Sequence, residues 1–481
     1  MPQKVIVIGA GLGGLECAYM LAKNGLDVTV LEQDIHIGGC LQSFRRGDTL
    51  FDAGFHYIGG LREGESLYPL FRYFNLLDLP WQALDEDCFD EVVIGDRSFA
   101  LAVGHERFAD TLTQAFPQEK EGIKRYTATL KETGDHITDA FQTREAADFY
   151  SGSLFARSAY GFLTDTIHDP LLRQVLSGSS LKMELAKDSL PLYVFAQINN
   201  SFIQSAWRIR GGGQQIAEHL AEDITRMGGN VRTRARVTAI LEKDGRVTGV
   251  RVNDEEVIEA THVICDIHPK EVMTLLAESQ SLRRIYRRRI DSLEETYGMF
   301  TANIRLRQDA LPYINRNIFI HHPETDLWAP DTTQVNSVMV SFYPGQPALD
   351  LLTPLRWSQV SQWAEHRDEA YEAFKAQKVE ECVQLVQERL PELPHAIEQV
   401  YTSTPLTYQR YTHTYQGSAY GIRKDWRSPM TTVLAPKIPI ENILLTGQNL
   451  NLHGVLGVSM TSVITAAQII GMDTLNAQIN K

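Results

Sequence analysis

The distribution of apolar positions in the first thirty residues predicts a strand, a helix and a second strand. Residues 5–8 are four consecutive apolar residues, which is typical of a strand buried on both faces. Residues 12–23 are rich in alanine and leucine, and the pair Asn24-Gly25 marks the end of a helix. Residues 27–31 form the second strand, which ends at Glu32. This order predicts a βαβ unit.

Periodic segments farther along the chain predict both helices and strands. Apolar spacing near 3.6 predicts amphipathic helices at residues 67–74, 108–130 and 216–224. Alternating or continuous apolar residues predict strands within residues 231–252, 261–265 and 442–446. The pair Asp244-Gly245 favours a hairpin turn inside the first of these segments.

The turn between the first strand and the helix carries a G-x-G-x-x-G pattern. In this setting Gly9 allows the tight turn, Gly11 lets the backbone approach a pyrophosphate, and Gly14 lets the helix pack closely against the strand. The free N–H groups and the dipole at the helix N-terminus favour an anion. Glu32 lies 21 residues after Gly11, where its carboxylate can accept hydrogen bonds from both ribose hydroxyls. The sequence therefore predicts a dinucleotide site.

A second glycine loop follows the acid that is predicted to bind the ribose. The segment Gly38-Gly39-Cys40 allows another close approach of the backbone to a ligand that already lies across the sheet edge. A nicotinamide dehydrogenase has no need of this loop, whereas FAD extends farther from the adenosine pocket and does need it. The sequence therefore favours FAD. For Cys40 we favour a small apolar filler over a reactive thiol.

Composition and charge argue against several other classes of protein. The 46 basic and 60 acidic residues give a net charge of −14, which argues against nucleic-acid binding. The five cysteines are scattered and form no C-x-x-C pair, so we expect a reducing, cytoplasmic location and neither disulfides nor a metal site. Two apolar stretches, 5–22 and 455–472, are interrupted by glycine or polar residues, so neither predicts a signal peptide or a transmembrane helix.

These motifs resemble a known family of flavoproteins. The segments Glu32…Gly38-Gly39-Cys40-Leu-Gln42-Ser43 and Asp52-Ala-Gly-Phe-His56-Tyr57 resemble the retinol saturase and carotenoid isomerase branch of the phytoene desaturase superfamily. Those proteins are FAD-dependent oxidoreductases that act on polyenes. Phytoene desaturases themselves more often carry a basic residue at the position of Cys40, so the saturase-like branch is favoured. The resemblance implies an α/β fold, in which a Rossmann-like FAD-binding domain of the GR2, amine oxidase-like type carries an inserted α+β substrate domain.

The resemblance also implies where the domains and the cofactor contacts lie. The FAD-binding domain would comprise residues 1–75, 206–272 and 430–481, and the substrate-binding domain residues 76–205 and 273–429. The backbone of Val237 is expected against the adenine, and the helix that follows Gly447 is expected to point its N-terminus at the flavin pyrimidine ring. The residues expected to bind the cofactor are Gly9, Gly11, Leu12, Gly14, Glu32, Gln33, Gly38, Gly39, Cys40, Gln42, Ser43, Val237, Gly447, Gln448, Gly454, Val455 and Ser459.

Four side chains are candidates for catalysis beside the flavin: His56, Tyr57, Tyr420 and His453. His56 can donate or accept a proton near neutral pH, and fixing its own loop is an equal alternative. For Tyr420, a packing aromatic is favoured over a residue that stacks on substrate. The sequence shows no arrangement typical of a catalytic triad, an H-E-x-x-H metal site or a phosphate P-loop. The flavin would therefore carry the redox chemistry.

A basic segment and a single dinucleotide motif bear on the partners. Five arginines within 283–289, interleaved with apolar residues, fit an amphipathic helix that rests on an anionic membrane. A surface helix that forms salt bridges on an acidic protein is the interpretation we favour. The expected substrate is an apolar small molecule in a long apolar cavity. Because only one dinucleotide fingerprint occurs, NAD(P)H would bind transiently or be replaced by another reductant.

The sequence therefore favours an FAD-dependent oxidoreductase that acts on carbon–carbon double bonds of an isoprenoid polyene, by saturation, desaturation or cis–trans isomerisation. An amine oxidase-type flavoenzyme is the first alternative, because it shares the architecture. A non-catalytic carrier of prenyl lipids with the same fold is the second, and the intact glycine pattern with Glu32 counts against it. The oligomeric state is left open.

Overall fold

The computed structural model describes residues 3–142 and 153–481 of the chain. Its strands are β1 Lys4–Ile8, β2 Asp27–Leu31, β3 Ser43–Arg46, β4 Thr49–Asp52, β5 Ile58–Gly59, β6 Trp81–Ala83, β7 Asp90–Ile94, β8 Arg97–Leu101, β9 Ala206–Ile209, β10 Asn230–Arg232, β11 Val237–Lys243, β12 Arg246–Val252, β13 Glu256–Glu259, β14 His262–Cys265, β15 Gly298–Leu306, β16 Asn317–His321, β17 Ser337–Phe342, β18 Ala348–Leu355, β19 Ile397–Ser403 and β20 Ile443–Leu445. Its α-helices are α1 Leu12–Lys23, α2 Tyr68–Tyr73, α3 His105–Ala115, α4 Lys120–Gln142, α5 Ala159–Thr166, α6 Pro170–Gly178, α7 Leu192–Gln204, α8 Gln214–Arg226, α9 Pro269–Leu275, α10 Arg284–Asp291, α11 Glu369–Gln387, α12 Leu393–Ala396, α13 Pro405–Thr412, α14 Pro429–Thr432, α15 Gly454–Ile470 and α16 Met472–Ile479.

A five-stranded parallel sheet with the order β10-β2-β1-β14-β20 organises one part of the fold. Ile6 of β1 pairs with Thr29 of β2 on one side and with Val263 of β14 on the other. The apolar runs form these strands because both faces of the sheet are covered. The chain leaves β1 first towards β2 and later returns on the opposite side at β14. Such a change of direction opens a crevice at the carboxyl ends of the strands, where ligands bind in open α/β sheets.

A seven-stranded sheet with the order β19-β15-β18-β17-β16-β7-β8 organises the other part. Its neighbouring strands are antiparallel except for the parallel pair β16 and β7. All strands of this sheet come from segments that the sequence predicts for substrate binding, and all strands of the parallel sheet come from segments predicted for FAD binding. The mixed α/β architecture predicted from the sequence is confirmed, while the division into domains stays a prediction.

Several local predictions are confirmed and one is wrong. Helix α1 covers the predicted residues 12–23. Asp244 and Gly245 both have positive φ angles, 52° and 79°, as a tight hairpin turn requires. The segment 108–130 is not one helix, because Pro117 interrupts the hydrogen-bond ladder between α3 and α4. Among the described helices, none is both long and apolar enough to cross a membrane.

Helices α1 and α15 pack together through a buried acidic side chain. The hydroxyl of Ser459 donates to Oε1 of Glu16 at 2.6 Å, and the hydroxyl of Ser462 donates to Oε2 at 2.8 Å. All three side chains are fully buried. Burial raises the pKa of Glu16 from its ordinary 4.5 to about 8. The folded state therefore holds this carboxyl group in its neutral form at pH 7.

Glu16→Gln is expected to remove a pH dependence of stability that this buried acid creates. Because the pKa of Glu16 is raised on folding, its contribution is complete below pH 4.5 and is lost as the pH rises to about 8. We expect the stability of Glu16→Gln relative to wild type to increase by about 1 kcal/mol per pH unit between pH 5 and 8. Urea unfolding at several pH values measures this. The exposed Glu222→Gln is the control, and a constant difference for Glu16→Gln would contradict the assignment.

Candidate functional site

Four strands of the parallel sheet end at one edge, and the residues that follow them lie together. Gly9 follows β1, Glu32 follows β2, Asp266 follows β14, and Thr446-Gly447 follows β20. Backbone hydrogen bonds continue the sheet to this edge, from Gly9 N–H to the Leu31 carbonyl at 2.9 Å and from Thr446 N–H to the Cys265 carbonyl at 3.0 Å. The predicted glycine motif therefore stands at the crevice where a parallel sheet offers a ligand site.

Asp266 occupies the centre of this edge and was not predicted from the sequence. Its Oδ2 accepts a hydrogen bond from Gly14 N–H at 2.8 Å. A Cβ atom on Gly11 would lie 2.5 Å from the same oxygen, and a Cβ atom on Gly13 would lie 2.9 Å from Oδ1. Burial raises the pKa of Asp266 to about 7. The negative charge of Glu32 adds to this rise, and the hydrogen bond from Gly14 opposes it. The glycines are thus required by the close approach of this carboxyl group.

The glycine loop that follows β2 lies directly against the first glycine turn. Gly38 N–H donates to the Ala10 carbonyl at 2.7 Å, and a Cβ atom on Gly39 would lie 3.6 Å from the Cα of Gly11. Glu32 anchors the same region, because Oε2 accepts from Ala10 N–H at 3.0 Å and Oε1 from Asp34 N–H at 2.9 Å. Each carboxylate oxygen keeps a second lone pair for a ribose hydroxyl.

The remaining predicted residues of the N-terminal part surround this loop. Burial raises the pKa of the Cys40 thiol to about 11, which agrees with a filler and not with a reactive thiolate. The Ser43 hydroxyl donates to Asp52 at 2.6 Å, and the Gln42 carbonyl accepts from Ala53 N–H at 2.8 Å. The other predicted positions lie close by in the chain or at the start of β11: Leu12, Gln33 and Val237.

A third segment, after β20, joins the edge from the C-terminal part of the chain. A Cβ atom on Gly13 would lie 3.1 Å from the Cα of Gly447, so the two turns touch. Gln448 follows, and α15 then begins at Gly454 with no side-chain cap, which leaves its first N–H groups and the adjoining Val455 at the helix N-terminus. Ser459 was expected among the cofactor contacts, but its hydroxyl is buried against Glu16. It lies more than one turn inside α15, where its hydroxyl joins α15 to α1, and its contact with the cofactor stays a prediction.

Three of the four catalytic candidates converge on one short segment. The Tyr420 hydroxyl donates to the Leu181 carbonyl, and His453 Nε2 lies 3.0 Å from the Lys182 carbonyl oxygen. The rings of Tyr420 and His453 are 4.6 Å apart. Burial lowers the pKa of His453 to about 4, so its imidazole is neutral at pH 7.

Tyr57 reaches the same segment through a buried ion pair. Its hydroxyl donates to Oδ2 of Asp90 at 2.9 Å, and Nζ of Lys182 lies 3.4 Å from the same oxygen. The Lys182 ammonium lies 4.5 Å from the ring centre of Phe202, which lies in turn 4.4 Å from the ring of Tyr57. Asn317 completes the shell by donating to Oδ1 of Asp90 at 2.9 Å. Burial raises the pKa of Asp90, and the ion pair with Lys182 opposes that rise.

His56 points to a different carboxyl group. Its Nδ1 lies 3.6 Å from Oδ2 of Asp350, a fully buried residue of β18. Burial and the charge of Arg208 lower the pKa of His56 to about 4. At pH 7 this imidazole is therefore neutral. It is a weaker base than the ordinary histidine that the sequence predicts.

The basic segment forms helix α10 and its surroundings on the surface. Arg287 donates to the backbone carbonyls of Met273 and Leu276, and Arg289 donates to that of Met430. Within residues 3–142 and 153–481, no acidic side chain pairs with any of the five arginines, so the salt-bridge interpretation is wrong. The guanidinium groups without a described partner belong to Arg283, Arg284 and Arg288, all exposed.

Comparison with known proteins connects this geometry to a family. The family model described as flavin containing amine oxidoreductase matches residues 12–470. The chain belongs to this family. It is 28% identical over 528 aligned residues to the all-trans-retinol 13,14-reductase of Danio rerio, which covers 97% of this chain and 85% of that protein. It is 24% identical to prolycopene isomerase 2 of an Oncidium hybrid cultivar, over 54% of this chain and 47% of that protein.

The solved structures agree with this assignment at the level of the fold. The cyclohexylamine oxidase from Brevibacterium oxydans superposes with a TM-score of 0.61 over the full length of both chains, at 15% identity. The resemblance to the saturase and carotenoid isomerase branch, stated above on sequence motifs, is confirmed by the named relatives. A flavin is therefore the cofactor of this family member.

The sequence reasoning assigned no functional role to four ionisable residues: Asp90, Lys182, Asp266 and Asp350. Asp266 had a usable signal, since it is a polar residue directly after a buried strand, the place where Glu32 was found. Asp90 and Asp350 lie in strands of apolar character, where only the surroundings in the fold show what they contact. Lys182 lies in a loop without a motif.

Gly9→Ala is expected to destabilise the protein far more than Gly25→Ala. Both glycines have positive φ angles, 95° and 77°, so both substitutions carry the same kind of backbone strain. A Cβ atom on Gly9 would lie 2.7 Å from the Asp266 carbonyl oxygen, whereas nothing lies within 4 Å of one on Gly25. We expect Gly25→Ala to cost about 1 kcal/mol and Gly9→Ala at least about 2 kcal/mol more. Denaturant unfolding measures both, and equal costs would show that the edge is not tightly packed.

Proposed function

We propose that the protein is an FAD-dependent oxidoreductase that acts on carbon–carbon double bonds of an apolar isoprenoid or polyene substrate, by saturation, desaturation or isomerisation. The observation that carries the proposal is the likeness over 97% of the chain to proteins named all-trans-retinol 13,14-reductase, in a chain whose glycine-rich edge is intact. The division into an FAD-binding and a substrate-binding domain, as predicted from the sequence, belongs to the same proposal.

The three segments at the sheet edge are suited to hold FAD. The turn from Gly9 to Gly14 would approach the pyrophosphate, Glu32 would accept the ribose hydroxyls, and the uncapped N-terminus of α15 would face the flavin pyrimidine ring. Val237 would lie against the adenine. When bound, the flavin supplies hydride or single-electron transfer. The reductant that serves it, transient NAD(P)H or another donor, is not specified by these residues.

The charges around Tyr57 favour an apolar substrate over an amine. A cationic amine is destabilised near buried positive charges unless an unpaired carboxylate compensates it. Here Asp90 is already paired with Lys182, and Arg208 adds a second buried positive charge. A second cation would be repelled in this low-dielectric region. The chain's own residues therefore disfavour the amine oxidase alternative and would instead bury the polyene against rings such as those of Tyr57 and Phe202.

An absorption spectrum of the purified protein separates the enzyme from the lipid carrier. We expect oxidised-flavin bands and the release of FAD on denaturation, because the glycine-rich edge and Glu32 are complete. A colourless protein that cannot be reconstituted with FAD would contradict the proposal and favour the carrier. Anaerobic turnover then separates the enzyme classes. Conversion of a retinoid or carotenoid is expected, whereas hydrogen peroxide release with amines and no polyene conversion would favour the amine oxidase.

The surface around α10 supports a second, dependent proposal, that the protein docks on an anionic membrane while remaining cytoplasmic. Arg283, Arg284 and Arg288 are exposed without a described partner. Ile285 is 76% exposed, and Met430, whose carbonyl accepts from Arg289, is 73% exposed. Basic and apolar side chains side by side on a protein of net charge −14 fit lipid headgroups and the acyl boundary.

Vesicle sedimentation tests the docking surface. We expect binding to vesicles that contain phosphatidylserine and weaker binding to phosphatidylcholine alone. Replacing Arg283, Arg284 and Arg288 by glutamine is expected to weaken binding to the phosphatidylserine vesicles by about 100-fold, since each juxtamembrane arginine contributes roughly 1 kcal/mol. The same change at the exposed Arg45, Arg125 and Arg157 is the charge-matched control. If both triple variants lost equal affinity for the vesicles, net charge alone would explain the binding. That result would reject the surface around α10 as the docking site.

A further inference from the structure

His56 faces the buried carboxyl group of Asp350, which is not among the residues expected to bind the cofactor. Nδ1 of His56 lies 3.6 Å from Oδ2 of Asp350. The Asp350 side chain has no exposed surface, whereas 14% of the His56 side chain is exposed. The distance is within ion-pair range and longer than a hydrogen bond, so a proton held between the two groups would draw them together.

No permanently charged cationic side chain compensates the Asp350 carboxylate in the part of the chain that the structure describes. Tyr343 donates its hydroxyl to Oδ2 at 2.6 Å, and Asn303 donates its amide to Oδ1 at 2.7 Å, but both are neutral. In the part of the chain that the structure describes, His56 is the one basic side chain within 4 Å of this carboxyl group. Asp90, the acid behind Tyr57, differs because Lys182 compensates it. A buried carboxylate without a cation is costly, so Asp350 favours a proton on itself or on His56.

The surrounding groups decide where that proton resides. Burial raises the pKa of Asp350 to about 7, and the negative charge of Asp52 adds to the rise. Burial and the positive charge of Arg208 lower the pKa of His56 to about 4. Tyr343 and Tyr408 also face Asp350, and burial raises the pKa of both phenols well above 10, so they stay neutral. Below pH 7 the pair is therefore a protonated Asp350 beside a neutral imidazole.

A small polar cavity of about 10 Å³, room for about one water molecule, adjoins His56 on the side of these groups. Its walls include Asp52, Arg208 and Tyr343. Nε of Arg208 is buried and has no hydrogen-bond partner among the described residues. Convergent donors and acceptors around such a space are what an ordered water requires. His56, which is 14% exposed, and Tyr343, which donates to Asp350, both line this cavity, so a water there would contact both sides of the pair.

We propose that Asp350 is the positioning residue of His56, and that the two side chains share one proton which they exchange with water through this cavity. The inference rests on the proposed function, because saturation of a double bond adds one hydride equivalent and one proton. A flavin supplies the hydride after a two-electron reductant, such as a reduced nicotinamide or a dithiol, has reduced it. The proton leaves Nε2 of His56, Asp350 returns a proton to the imidazole at Nδ1, and water reprotonates Asp350. Desaturation runs the same transfers in reverse.

The titration of His56 tests the pair without any substrate. The protein is labelled with 15N-histidine, and the signal is assigned by its loss in His56→Gln. In the wild type we expect a neutral imidazole whose signals shift with a midpoint near pH 7, where Asp350 loses its proton. Asp350→Asn is expected to abolish this step. His321, which is bonded to Ser337 and to the Gly178 carbonyl, is the internal control and stays unchanged.

Tyr343→Phe provides a second variant that does not depend on how Asp350→Asn folds. It removes the hydroxyl that stabilises the Asp350 carboxylate, so the midpoint of the His56 step is expected to rise by about half a pH unit or more. The absence of a step near pH 7 in the wild type overturns the proposal. So does a step that persists in Asp350→Asn or does not move in Tyr343→Phe.

Turnover distinguishes the failure of this pair from the failure of the proposed function. With a polyene substrate, Asp350→Asn is expected to lower kcat by about tenfold or more at an almost unchanged KM, and Asp350→Glu is expected to restore part of it. The expected His56 titration without any polyene turnover would reject the proposed function and leave the proton pair in place. Full turnover in Asp350→Asn would reject the pair and leave the proposed function in place.

Discussion

The contact between the Asp266 carboxyl group and the glycine turn is the constraint on which the site depends. A carboxyl group that accepts from Gly14 N–H and lies against Gly11, Gly13 and Gly447 leaves no space for a side chain at any of these positions. The backbone of three distant chain segments is therefore brought to one edge and left bare. Bare backbone at a helix N-terminus is what a pyrophosphate needs, so packing and cofactor binding make the same demand on the sequence.

The seven-stranded sheet supplies the two acids that contact the candidate catalytic residues Tyr57 and His56. Asp90 and Asp350 are both fully buried, and each accepts from an asparagine on a neighbouring strand. Asp90 holds the Tyr57 hydroxyl and is compensated by Lys182, whereas Asp350 faces His56. Two adjacent residues of one loop thus meet two carboxyl groups of different charge state. The larger sheet therefore supplies the buried acids that His56 and Tyr57 contact.

The sequence predicts those parts of the site whose partners are close in the chain. The turn from Gly9 to Gly14 and the acid Glu32 belong to one βαβ unit, so periodicity and spacing are sufficient to find them. Asp266 bonds to a residue 252 positions away, and only the strand order shows that the ends of β1 and β14 are neighbours. The hydrogen bond between Ser459 and Glu16 joins two helices that are far apart in the chain, so no local motif shows it. Pro117, by contrast, is visible in the sequence. The apolar spacing of residues 108–130 nevertheless led to the prediction of a helix across it.

The most direct test of this account is the dissociation constant of FAD from Asp266→Asn and Asp266→Ala, measured side by side by equilibrium titration of the apoprotein. Asparagine keeps an oxygen that accepts from Gly14 N–H and carries no charge, whereas alanine removes the contact that holds the edge together. We expect the asparagine variant to bind FAD within about threefold of the wild-type affinity and the alanine variant to lose about tenfold or more. FAD binding by the alanine variant at wild-type affinity would contradict it.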